Sequence, residues 1–273
     1  MHELLQPDLL KKRLAGSLFS SHIHYQASID STNALAKTLA GQGAPGGTLV
    51  VTEEQIAGRG RRGRSWVSPA GANLLFTVLL RPPMEADRVF VLTMVLALAG
   101  LKAVKKVTGV KAMIKWPNDL YVGAKKLAGI LTEFSVKKNR IDWAVMGMGI
   151  NVGWHPETPE GSGAPATSLL EETGQRVSRN DLLFEILTEF ETLYREVVRG
   201  NMEPLYEEWN RNCLVLGKAV VIESDRERIE GKALRIDDWG ALIIEDAKGV
   251  QRRILTGDVS LRVAPPNKIL TQL

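Results

Sequence analysis

A single cysteine, Cys213, stands in a chain of 273 residues, so no disulfide can close within it and no zinc site can be built on paired thiolates. Histidine is scarce too, with four in all. His22 and His24 alternate along one stretch without a third ligand at suitable spacing, and read as ordinary strand residues rather than metal ligands. No apolar run reaches membrane length: the longest, residues 89–101, ends at Lys102, short of the roughly 18 residues a span needs, and reads as a buried helix. No basic-then-apolar leader follows Met1-His2-Glu3, so a cytoplasmic protein is expected, with no membrane partner. The pattern G-x-x-x-x-G-K-[ST] occurs nowhere, which removes a P-loop. No adjacent Ser/His/Asp or Cys/His signature is present either, so a covalent enzyme intermediate is not expected.

What is present is ordinary globular composition, 44% apolar and 24% charged, which excludes disorder and collagen. The length suits one large domain with a small companion. The net charge is only +4, but four arginines crowd between Arg59 and Arg64, so local placement outweighs the total.

Leucine spacing over 7–15 predicts a short helix, and residues 22–26 a strand leading to Ser31-Thr-Asn33, which looks like a helix start before 34–40. Strands are expected at 48–52 and 74–80, flanking the glycine- and arginine-rich loop 58–71, then a long helix over 87–107. Short strands follow at 114–116, 120–122, 128–134 and 143–150. Ser178-Arg-Asn-Asp181 reads as a capping box opening a helix to about 199, with another over 202–212. Beyond 216 the period becomes two, with strands expected at 218–223, 228–236, 241–245, 250–255 and 259–263, separated by Asp238-Trp239-Gly240 and Ala247-Lys248-Gly249. Helices and strands mix without strict alternation, so the fold class is α+β. Residues 1–213, with a core from about 22, form the large domain, and 214–273 a small β-barrel.

Gly58-Arg-Gly-Arg-Arg-Gly63 matches the dinucleotide pattern G-x-G-x-x-G and follows a strand, but the rest of the context fails. Arg64-Ser-Trp-Val-Ser-Pro69 does not open a helix, and no acid lies between Glu54 and Glu85, where a dinucleotide site needs one. What the loop offers is glycine backbone that can approach a ligand closely, and guanidinium groups that each hold carboxylate or phosphate oxygens with two hydrogen bonds. An anion is the expected guest; a solvated basic loop or a nucleic-acid patch is the bland alternative.

Taken together, Gly58-Arg-Gly-Arg-Arg-Gly-Arg-Ser-Trp-Val-Ser-Pro69, Gly71-Ala-Asn-Leu74, Lys115-Trp-Pro-Asn-Asp-Leu120 and Lys126-Leu-Ala-Gly-Ile130 resemble biotin protein ligases. Asp30-Ser-Thr-Asn33, Gln55 and Gly147-Met-Gly-Ile-Asn-Val152 extend the resemblance over about 22–263. It implies a class II synthetase-like catalytic domain, a mixed sheet with helices, followed by an SH3-like barrel. The implied activity consumes biotin and ATP, with Mg²⁺, and transfers biotin to a lysine of a biotin carboxyl carrier protein.

By the same resemblance, Ser31, Thr32, Asn33, Gln55, Arg59, Gly60, Arg61 and Lys126 would bind biotin, with Lys126 and Arg61 catalytic. Arg64, Trp66, Asn118, Asp119 and Asn151 would serve ATP: Trp66 would cover the nucleotide, and Asn151 would reach the adenine side. Asp119 at most would meet the metal, through the substrate's Mg²⁺. Only 30 residues precede Ser31, so the DNA-binding winged helix of some relatives is not expected, and a homodimer is compatible with the family. A lipoate–protein ligase of the same fold and a basic nucleic-acid-binding protein are the rival readings.

Overall fold

The β-branched stretches pair into one seven-stranded mixed sheet in the computed structural model, which describes residues 3–157, 165–223, 228–255 and 257–261. Its strands are β1 (Ile23–Ile29), β2 (Thr48–Gln55), β3 (Leu74–Leu80), β4 (Met113–Lys115), β5 (Asp119–Val122), β6 (Lys125–Lys137) and β7 (Arg140–Ile150). They lie in the order β1-β2-β3-β7-β6-β5-β4. Only β1 and β2 run parallel, because α2 (Thr32–Gly41) carries the chain back between them, as a parallel pair requires. The other neighbours are antiparallel.

Alternation along the central strands sends side chains to two faces. Val50, Leu79 and Val145 pack under Ala36 and Ala40 of α2. Leu49, Val51, Phe76, Val78, Met146 and Met148 join the main core, beneath α3 (Val89–Thr108). Every residue from 91 to 101 is buried, since α3 lies between the sheet and α5 (Arg179–Val198); a helix covered on both sides shows no polar stripe. Gly109 ends α3 in the left-handed conformation, the common helix stop. Among the described residues no helix is long and apolar enough to cross a membrane.

One sequence expectation is refined. Ser178 caps α5 by accepting from Asp181 N, at 3.2 Å, but the Asp181 carboxylate takes Arg13 at 2.6 Å, tying α1 (Pro7–Arg13) to α5. A buried ion pair joins Arg179 of α5 to Glu53 of β2 at 2.6 Å, and Leu5 N, in the segment before α1, donates to Glu53 Oε1 at 2.7 Å. The described chain also includes the short helix α4 (Leu169–Thr173), which the sequence reading leaves unassigned, and α6 (Glu203–Asn212).

The C-terminal period of two becomes a five-stranded antiparallel sheet: β8 (Ala219–Glu223), β9 (Arg228–Ile236), β10 (Leu242–Glu245), β11 (Gln251–Ile254) and β12 (Asp258–Leu261), in the order β11-β10-β9-β8-β12. Residues 262–263 of the last expected strand lie outside the described residues. Both expected turns close the same way. Asp237 Oδ1 accepts from Trp239 N and Ala241 N, each at 2.9 Å, and Asp246 Oδ1 from Lys248 N and Val250 N at 2.9 and 3.1 Å; an Asp at such a position organises the turn backbone. The first turn docks on the larger sheet. Trp116, 1% exposed, donates from Nε1 to Gly240 O at 2.9 Å.

Candidate active site

The site forms where β1 hands over to α2. Ser31 is the helix N-cap with extended backbone, but its Oγ accepts from Ala34 N only at a long 3.5 Å. Its hydroxyl proton is therefore left for another acceptor. Thr32 donates from both N and Oγ1 to Gln55 Oε1, at 2.8 and 2.9 Å, joining the helix start to the end of β2. With its one proton committed, Thr32 Oγ1 can only accept from a further group. Asn33 donates from Nδ2 to Leu131 O at 3.1 Å and Glu133 Oε2 at 2.9 Å. Its Oδ1 accepts from Thr77 Oγ1 at 2.7 Å.

Glu133 also receives Lys37 Nζ at 2.6 Å. Burial pushes its carboxyl upward, yet the hydrogen bonds from Lys37 and Asn33, with the charges of Lys37 and Arg59, outweigh that and hold it below the ordinary carboxylate value. It is an ionised acceptor at neutral pH.

The arginine loop folds as a small hairpin over this corner. Trp66 N donates to Gly58 O at 2.9 Å and Gly60 N to Arg64 O at 2.7 Å, with Arg59 bridged to Ser65. Arg62 turns the tip in the left-handed region, φ 56°. Arg61 points inward and donates to Asn118 Oδ1 at 2.8 Å, and Asn118 Nδ2 donates to Ile130 O at 2.6 Å. The loop is thereby connected to the β4–β5 turn.

Lys126 near the start of β6 lies 2.9 Å from Asp119 Oδ1, an oxygen without a hydrogen-bond partner of correct angle. The ammonium is 5.8 Å from the centre of the Trp66 ring. That ring lies flat on the strand: a Cβ at Gly149 would meet its atoms at 2.4–2.7 Å, so only glycine leaves room there. One cavity of about 120 Å³ gathers Ser31, Thr32, Asn33, Gln55, Arg59, Gly60, Arg61, Arg64, Trp66, Asn118, Asp119 and Lys126.

Asn151 does not join that lining. Its side chain is 2% exposed, donates to Thr167 O at 3.0 Å and accepts from Asn73 at 3.5 Å. Its amide ties Asn73 to the chain after β7, behind the lining of this cavity. Sequence reasoning missed Thr77, Glu133 and Lys37. The available signal was Glu133, a lone acid in the apolar stretch 128–134.

The arrangement combines a ring of matched donors and acceptors, an inward arginine and a held ammonium, which is the equipment for an uncharged polar ring with an anionic tail. Comparison with known proteins decides the family. Residues 25–151 match the model of the biotin/lipoate A/B protein ligase family, and 215–262 that of the biotin protein ligase C-terminal domain. The chain is 35% identical to the biotin–[acetyl-CoA-carboxylase] ligase of Paracoccus denitrificans, over 82% of this chain and 95% of that one. The chain belongs to the biotin protein ligase family.

A further relative is the bifunctional ligase/repressor BirA of Bacillus spizizenii, 34% identical over 91% of this chain and 76% of its own length. Among solved structures, the biotin protein ligase of Aquifex aeolicus in complex with biotin and ATP superposes with a TM-score of 0.75 at 30% identity, covering 89% of this chain and all of that one. As a biotin protein ligase, the chain has the mixed catalytic sheet and the small SH3-like C-terminal sheet of that fold, and it is a ligase by family.

Proposed function

We propose that this cavity joins biotin to ATP as biotinyl-5′-AMP and then passes the biotinyl group to a lysine of a biotin carboxyl carrier protein, in the cytoplasm. The division of labour is a catalytic unit over 1–213 and a companion over 214–273. The observation that carries the reading is Lys126, an ammonium held by Asp119 at 2.9 Å beside a polar ring site on the same cavity wall.

A ureido ring presents one carbonyl and two N–H groups. Ser31 supplies a donor for the carbonyl, and Thr32 Oγ1 and Asn33 supply acceptors for N–H, with Gln55 holding the helix start in place. Arg59, Gly60 and Arg61 close over the ring. On the nucleotide side, Trp66 and Arg64 of the loop and Asn118 of the turn face the phosphates and base, while Asn151 serves from behind by fixing the chain at the end of β7.

In the first half-reaction a biotin carboxylate oxygen attacks the α-phosphorus, the bond to the bridging oxygen breaks, and pyrophosphate leaves. Carboxylate and phosphate are both anionic, so their approach needs fixed positive charge. Lys126 makes only an ion contact with Asp119 and has three donors, and Arg61 adds a second fixed cation. Aligning the two reactants contributes about 7–11 kcal/mol of the barrier reduction. Mg²⁺ enters with ATP as substrate: Asp119 is the single carboxylate among the lining residues, which fits an ion held mainly by phosphates and water and offsetting the pyrophosphate charge.

In the second half-reaction the ε-amine of the carrier lysine attacks the acyl carbon, an amide forms, and AMP leaves. The mixed anhydride must be kept from water meanwhile, and the loop over the cavity supplies that shield.

The test is biotin-dependent exchange of labelled pyrophosphate into ATP. Wild type should exchange with biotin and not with lipoate, and Lys126→Ala should lose about 10²–10³ of the rate. Folded protein without biotin-dependent exchange would remove the adenylation reading.

A further inference from the structure

The corner behind the ring site contains a charge that no step above uses. Glu133 stands on β6 with its two carboxylate oxygens divided between two positions of α2: Oε2 takes Asn33 Nδ2 at 2.9 Å, and Oε1 takes Lys37 Nζ at 2.6 Å. Asn33 and Lys37 are four apart and so share one face of the helix. A carboxylate has only acceptors, so Asn33 must turn its NH₂ toward it. The second Nδ2 proton goes to Leu131 O at 3.1 Å, which spends both. What remains is Oδ1, which takes one proton from Thr77 Oγ1 at 2.7 Å and retains one lone pair. That oxygen lies directly over β7, where a Cβ on Gly147 would fall 2.1 Å from it.

We propose that Glu133 is a positioning residue that fixes the Asn33 amide with its oxygen toward the bound ring, and so selects a substrate presenting an N–H donor at that point. The inference rests on reading this cavity as the biotin site. Glu133 touches no reacting atom; it acts through Asn33, and Lys37 holds Glu133 in register. Leu131 O asks for the same orientation through one neutral hydrogen bond; the Glu133 carboxylate adds the stronger charge-assisted one, and the discrimination weakens without it.

The consequence can be inverted chemically. In Glu133→Gln, the new amide gives its carbonyl to Lys37 and sets its NH₂ against the NH₂ of Asn33. Asn33 then either tolerates two facing donors or flips and sets its oxygen against Leu131 O, so a buried bond is lost in both cases. Adding Lys37→Met frees the glutamine to turn its carbonyl toward Asn33, which restores the original orientation. A residue that only filled space would show no such rescue.

The experiment measures biotin KM and kcat in the exchange assay for wild type, Glu133→Gln, Lys37→Met and the double variant. The expected result is a rise in KM for Glu133→Gln on the order of 10- to 100-fold, with kcat at saturating biotin changed less than about threefold. The double variant should return to within about threefold of Lys37→Met alone. An unchanged KM in Glu133→Gln, or equal impairment of the single and double variants, would overturn the proposal. Should Glu133→Gln not fold, wild type is titrated with the two isomers of biotin methylated on one ureido nitrogen. Loss of at least about tenfold for both isomers, one N–H lying against Asn33 and the other against Thr32, supports the proposal, and unchanged binding of either isomer overturns it. Wild type that exchanges no pyrophosphate with biotin would instead sink the biotin reading itself, a different result from exchange that ignores Glu133.

Discussion

The two walls of the cavity are built on opposite terms. On the sheet wall, Asn33 and Thr77 are 5% and 0% exposed, and the Asn33 amide is fixed by three hydrogen bonds to β3 and β6. On the loop wall, Arg59, Arg62 and Arg64 are exposed, and the hairpin is held by a few backbone bonds and the Arg61–Asn118 hydrogen bond. The buried wall carries a fixed pattern of donors and acceptors, which is how a site reads a neutral ring. The exposed wall carries charge, which water weakens until the loop is covered and the local dielectric falls. The two walls thus differ in how firmly the fold holds them.

The largest effect should come from one methyl group on the sheet wall. A Cβ in Gly147→Ala lies 2.1 Å from Asn33 Oδ1 and 3.1 Å from Thr77 Oγ1, and neither partner has slack. Biotin binding measured by calorimetry should weaken on the order of 100-fold, with a stability loss of about 1–3 kcal/mol from overpacking. On the loop wall the same change is mild: at Gly60 the nearest atom to a new Cβ is Arg64 O at 3.5 Å, ordinary contact, so Gly60→Ala should leave the melting temperature where it is. Equal destabilisation by both substitutions would erase the contrast between the walls.

The same contrast governs how far sequence reading could go. The central strands and α3 were legible because their apolar runs coincide with paired or fully covered backbone, as at Leu74–Leu80. β6 was seen only over 128–134, whereas it runs Lys125–Lys137; its polar ends are strands because β5 and β7 pair with them, and pairing leaves no apolar trace. Motif residues of the loop and of the helix start could be named from resemblance, and the fold does bring them to one cavity. The supports could not. Thr77 and Lys37 belong to no motif, and they meet at Asn33 and Glu133 only through the register of β3, β6 and α2. Asn151 shows the converse, a motif residue whose side chain the fold has committed elsewhere.

A middle-sized effect should appear in the loop itself. Its arginines are natural trypsin sites, and cleavage there tracks how often the hairpin opens. Biotin with ATP should slow cutting between residues 59 and 64 by at least about tenfold, since the closed loop must shield the mixed anhydride. Cleavage equally fast with and without both substrates would mean that this wall does not close.

The smallest effect is one of pH, and it bears on the sheet wall. Burial opposes ionisation of Glu133, but the Lys37 and Asn33 hydrogen bonds and the Lys37 and Arg59 charges prevail, so its folded value lies below the ordinary one. For a carboxyl depressed in this way, the contribution is complete above the ordinary value and is lost as pH falls through the folded value. The affinity for biotin methyl ester, which has no carboxyl of its own to titrate, should therefore persist through the ordinary carboxylate range as the solution is acidified, and fail only beneath it. Lys37→Met removes the strongest of the lowering influences, so the acid limb of its ester titration should move upward, toward the ordinary value. Arg59, on the other wall, contributes only through its charge, so Arg59→Met should move the same limb less. A limb that shifts more for the loop arginine than for the helix lysine would mean that the loop, not the buried corner, sets the charge state of the ring site.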